Sequence, residues 1–151
     1  MKKLLELSSI FYKFAQDSAL TSPNVVVEPA QPILNKAIQL LKRYNPSFFV
    51  GVRKIIVAPS SYYGFVESGE DKDPAVVHIN LQKIINESGG NPNSPEAIIS
   101  AALTIAHEGA HTHTYKQEGG FIGGETPAES EEQKVADWIK NNRNNLKDIL
   151  G

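Results

Sequence analysis

The sequence predicts an α+β fold: a small, mainly antiparallel sheet packed against one buried helix and the polar helix after it, with additional helices toward the N-terminus. Three observations predict this class. Three short runs rich in β-branched and aromatic residues fall close together within residues 53–80. Residues 97–106 are apolar nearly all round, as in a helix enclosed on every side. From Thr126 a charged segment carries an inward stripe of Val135, Ala136, Ile139 and Leu146, the spacing of a helix with one apolar face.

In chain order, Leu4, Leu7, Ile10, Phe11 and Phe14 recur three and four apart, predicting an amphipathic N-terminal helix. Pro23, Pro29 and Pro32 make residues 20–31 an extended connector. A second helix is expected from about Pro32 to Tyr44, with Ile33, Leu34, Ala37, Ile38 and Leu41 facing inward. Strands follow at 53–58, 62–67 and 75–80, separated by Pro59-Ser60-Ser61 and a charged turn over 68–74. A short helix over 81–86 ends at Gly89-Gly90-Asn91-Pro92. Ser94 then supplies an N-cap, Pro95 suits the first helical position and Glu96 complements the helix dipole, so a helix begins there and runs to about Thr112. Thr126-Pro127-Ala128-Glu129 reads as a capping box opening the last helix, which continues through Trp138 toward Leu146.

Composition narrows the function classes. At 151 residues and 40% hydrophobic, the chain suits one unit with its own core. The expected division is an N-terminal helix and connector over 1–22 and a single domain over 23–151. Fifteen basic against 17 acidic residues give a formal net charge of −2 with no dense basic stretch, which argues against a nucleic-acid partner. No apolar run is long enough to span a bilayer. The apolar stretch behind Met1-Lys2-Lys3 is broken by Glu6, Lys13 and Asp17, unlike a secretory signal. A soluble, cytoplasmic protein is the expectation. With no cysteine, any metal must be held by imidazole and carboxylate.

Into the buried helix the chain sets His107, Glu108 and His111. Residues four apart lie one turn above each other, so both imidazoles can point at one ion, with Glu108 rotated beside it as a general base for a water. Burying two imidazoles and a carboxylate unpaired in such a helix would cost several kcal/mol, on the order of 2–7 for each neutral polar group alone. A zinc site removes that objection. Gly109 and Ala110 are small enough to let a strand or a substrate come close.

The segment His107-Glu108-Gly109-Ala110-His111 resembles the zinc-binding motif of the zincin metallopeptidases, and the acidic helix downstream resembles their glutamate-ligand branch, the gluzincins. In size the chain is similar to the minimal soluble members, the minigluzincins. The resemblance covers about residues 75–139, and its specific part is the five-residue motif. It implies a zinc ion, a glutamate as third ligand, hydrolysis of a peptide or protein substrate, and an upstream strand that aligns substrate along the cleft, matched here by residues 75–80. The metzincin branch would need a glycine and a histidine where Thr114 and Gln117 stand, and is excluded.

For the third ligand, Glu132 lies three before Val135 and four before Ala136, on the inward stripe, and is the first choice. Glu129 is second, since the capping box gives it a structural task; Glu131, Glu125 and Glu118 are the remaining candidates. The register common among gluzincins, ligand glutamate three before Ala and four before Asp, lands on Gln133 when applied to Ala136-Asp137. That departure leaves open a zincin-like binding or regulatory domain without hydrolysis; a third reading is a site for a non-peptide substrate such as another amide. Asp137 is a candidate to orient a metal-bound histidine, and Tyr115 and His113 to stabilise an oxyanion. His113 reads more simply as a loop or surface residue, and His78 as outward-facing on its strand. The glycine-flanked segment 119–124 is a connection or a pocket wall.

Overall fold

Pro32 at the first helical position and apolar residues at helical spacing produce helix α1 (Pro32–Tyr44), which buries Ile33, Leu34, Ala37, Ile38, Leu40 and Leu41. The computed structural model describes residues 25–67, 72–118 and 124–151, so the expected helix over 1–22 and residues 119–123 lie outside the described residues. The α+β class is as the sequence predicts. Strands β1 (Val26–Glu28), β2 (Lys54–Val57), β3 (Gly64–Val66) and β4 (Val76–Ile79) form one sheet in the order β1-β2-β4-β3.

The pairing differs from the mainly antiparallel expectation. β1 pairs with β2 and β2 with β4 in parallel, and only β3 with β4 is antiparallel. The physical reason lies in the connections. α1 intervenes between β1 and β2 and forces a crossover, which returns the chain in the same direction. β4 then enters between β2 and β3, leaving β3 at the edge. β1 arises inside the segment read as an extended connector, where Val26 and Val27 meet a partner supplied from far along the chain.

Helix α2 (Leu81–Glu87) is capped by Asn80, whose side chain accepts from the Lys83 amide and donates to the Ser60 carbonyl. Helix α3 (Pro95–Glu118) starts as expected, with the Ala97 amide donating to Ser94 Oγ at 3.1 Å, but runs past Thr112. Ala97, Ile98, Ala101, Ala102, Ile105 and Ala106 are all essentially without solvent exposure, and α3 packs on α1, on β3 and β4, and on helix α4 (Thr126–Asn141). In its C-terminal half, the buried Thr112 donates to the Pro74 carbonyl at 2.6 Å, tying α3 to the approach to β4. A 3-10 turn (Arg143–Leu146) and helix α5 (Lys147–Leu150) close the chain, held to α1 by a bidentate pair between Arg43 and Asp148.

The predicted capping box does not form. Glu125 is the N-cap of α4 and makes no side-chain cap bond, because Thr126 already stands inside the helix. At Gly109 the close neighbour is not a strand: the ring of buried Phe48 would lie 3.0 Å from a β-carbon placed there. Among the described residues no helix is long and apolar enough to cross a membrane.

Because α3 is clamped on several sides, its core residues carry much of the stability. Ile105→Ala, at a fully buried position, is expected to cost about 2–5 kcal/mol, since close neighbours on several elements cannot all collapse into the space. Urea unfolding checks it: the midpoint should fall with an unchanged slope.

Candidate metal centre

The four-residue spacing in α3 sets His107 and His111 one turn apart, with ring centroids 5.2 Å apart and planes at 74°. Both side chains are mostly buried, at 21% and 12% exposure; His107 lines a cleft of about 870 Å³, and His111 a smaller pocket of about 260 Å³, with Glu108 and Glu125 lining both. The β2–β3 loop, α2, α3, Glu125 and Glu132 wall the larger cleft.

The carboxylate that meets both imidazoles is Glu125. Its Oε2 lies 2.6 Å from His107 Nε2 and 3.3 Å from His111 Nε2, and its Oε1 lies 3.2 Å from His111 Nε2. Glu132, placed on the inward stripe by its spacing, reaches His107 alone, at the other ring nitrogen: its Oε1 is 3.0 Å from His107 Nδ1. Seven residues separate the two glutamates, nearly two helical turns, so one side of α4 delivers both to opposite edges of the same imidazole. Burial draws the His107 pKa down, but Glu125, Glu108 and Glu132 outweigh it and hold the ring above the usual histidine value. Glu125 shows the reciprocal effect: its slight burial would raise it, yet His107 and His111 hold it below the usual carboxylate range.

Glu108 sits beside this cluster at 6% exposure, and its Oε2 is buried with no hydrogen-bond partner. Burial pushes its pKa up to about 7; charge on His107 opposes the shift, while Glu125 and Glu132 reinforce it. Its side chain is held from the sheet side. A β-carbon at Gly64 would come within 3.0 Å of Glu108 Cγ and Thr104 Cγ2 and 2.9 Å of the His78 carbonyl, so only glycine lets β3 lie this close to α3.

The donors fit a zinc ion. Two imidazole nitrogens and one carboxylate oxygen, from His107, His111 and Glu125, lie within 4.8 Å of one another. A tetrahedral site with bonds of about 2.0–2.1 Å asks for donors about 3.4 Å apart, a change small enough for side-chain rotation. Glu108 Oε2, buried and unpartnered, belongs to the same helix as the two histidines.

Other residues singled out by sequence lie elsewhere. Asp137 does not orient an imidazole; it accepts from Gln133 Nε2 at 2.9 Å on the exposed face of α4, and Glu132 holds the position at His107 Nδ1. Gln133 thus belongs to a surface pair, and the register that lands on it does not describe this helix. Glu129 is exposed and lies outside the three-residue cluster. His113 is on α3 and not in a loop, since the helix continues past it, and its ring packs edge-on to Phe48 at 5.5 Å. Neither His113 nor Tyr115 is among the described residues lining the cleft. His78 stacks on Phe65 at 4.3 Å.

Strand β4, matched by sequence to a substrate-aligning role, is paired on both sides by β2 and β3, so its backbone has no edge to offer. The strand at the cleft is β3. Sequence reasoning also passed over Tyr63, Lys83 and Glu87, which line the cleft opposite α3. The i,i+4 spacing of Lys83 and Glu87 was a legible pair, but nothing local shows that it faces a cleft. No protein-family model, curated protein or solved structure matches the chain.

Proposed function

We propose that the protein is a zinc-dependent metallopeptidase in which His107, His111 and Glu125 hold the ion and Glu108 is the general base. One observation carries this reading: two imidazole Nε2 atoms and a carboxylate converge at a cleft beside a buried carboxylate oxygen that has no partner. When bound, zinc supplies Lewis acidity, lowering the pKa of a water to about 7 and polarising a carbonyl.

The remaining work falls to the chain. Glu108 accepts the proton of the attacking water and passes it to the leaving amine. Glu132 accepts from His107 Nδ1, which fixes the ring and directs the Nε2 lone pair at the ion. The close approach of Gly64 sets β3 against the Glu108 side chain. Edge strand β3 has no partner on its outer side among the described residues, so an extended peptide can add to it and bring its carbonyls to the site. This main-chain recognition favours peptides over small amides.

Elemental analysis and hydrolysis assays test the reading together. Protein purified without added metal should hold about one zinc per chain, and should cleave peptides in preference to small amides. Failure to bind zinc on reconstitution, or full zinc loading with no hydrolysis of any peptide in a broad pool, overturns it.

A further inference from the structure

Opposite α3, the wall of the cleft is built from charged and hydroxyl groups fixed on one another. Lys83 Nζ donates to Glu87 Oε1 at 3.1 Å and lies 4.8 Å from the centre of the Tyr63 ring. The Tyr63 hydroxyl donates to the second oxygen of Glu87, which joins the β2–β3 loop to α2. Both Glu87 oxygens are thereby engaged, and together with the ring they hold a long, otherwise mobile lysine in one place. The ammonium has three protons and Glu87 takes one. Among the described residues that line the cleft, Lys83 is the sole cation besides the site histidine.

Glu108, Glu125 and Glu132 line the cleft near the imidazoles, where they would offset a bound dication, while on the α2 wall Lys83 stands paired with Glu87. Along α3 the cleft runs from His107 back to Ser100, whose hydroxyl meets Ser88 Oγ at the end of α2, 3.0 Å away. Seven helical residues span about 10 Å. An extended peptide covers that length with about three residues.

We propose that Lys83, set in place by Glu87 and Tyr63, is a substrate-binding residue that receives a carboxylate of the peptide within about three residues of the cleaved bond. The group is either the C-terminal carboxylate or an acidic side chain. The proposal rests on the peptidase reading for its substrate and adds the class of peptide that the cleft selects.

The test uses the full-length Glu108→Gln protein loaded with zinc, so that binding is read without turnover. The probes are N-acetylated alanine hexapeptides with one Glu or Gln at each position in turn, each made as free acid and as C-terminal amide, with affinity measured by calorimetry. At least one carboxylate-bearing peptide should bind about ten-fold more tightly than its uncharged counterpart. Dependence on the terminus or on the side chain tells which source supplies the group. Adding Lys83→Met should bring that ratio close to one, and Lys83→Glu should reverse it. Equal binding of charged and uncharged peptides, a preference that survives Lys83→Met, or no binding of any probe overturns the proposal. Selective binding lost in Lys83→Met, with no hydrolysis of any of these peptides by zinc-loaded wild type, would support the carboxylate site while removing the peptidase reading.

Discussion

Glu125→Ala is expected to abolish zinc binding at equimolar metal, whereas Glu132→Ala should retain zinc with affinity weakened about 10- to 100-fold. The difference follows from which nitrogen each carboxylate meets. Glu125 faces Nε2 of both histidines, so its loss leaves two donors where a zinc site needs three from the protein. Glu132 touches only His107 Nδ1, so its loss frees the ring to rotate but removes no donor from the ion. Both side chains are substantially exposed, at 64% and 44%, so neither variant should unfold the protein, and circular dichroism would verify that. Competition with a chromophoric chelator measures the affinities. The opposite ranking would make Glu132 the ligand, as its place on the inward stripe suggests, and would leave Glu125 a bystander at the helix N-terminus.

Glu108→Gln is expected to lower kcat by about 10²- to 10⁴-fold while zinc content stays at the wild-type level. Glutamine has nearly the same shape but cannot take up a proton. At 6% exposure, Glu108 has an Oε2 that accepts no hydrogen bond, so none is lost there and the thermal midpoint should hold or rise. Comparing kcat, zinc stoichiometry and melting temperature separates a chemical role from a structural one. Turnover within a few-fold of wild type would remove Glu108 as the base.

Local signals sufficed for a good part of the molecule. α1 begins and ends where its proline and apolar spacing place it, α3 opens on its Ser94 cap, and the helical offset of four brings His107 and His111 together. Each of these depends only on geometry within one helix, which is why the residues alone are enough. The same logic made Glu132 the first choice for the third ligand; it meets His107 Nδ1 alone, while Glu125 faces Nε2 of both imidazoles.

What the residues along one element could not decide was anything set between elements. The sheet is mixed because α1 forces a crossover and β4 inserts between β2 and β3, and strand order depends on pairings across tens of residues. That order put β3, not residues 75–80, at the cleft. The choice between Glu125 and Glu132 turned on how α4 docks against α3, since a helical stripe specifies a direction but not which edge of a neighbouring imidazole is met. The wall of Lys83, Glu87 and Tyr63 likewise exists only because the β2–β3 loop folds onto α2. The sequence by itself determined the α+β class, the buried helix and the paired histidines with their glutamate, because periodicity and caps act within a few residues. Tertiary structure decided strand order, which carboxylate meets both imidazoles and the charge lining the cleft, because those depend on contacts between segments that no local pattern encodes.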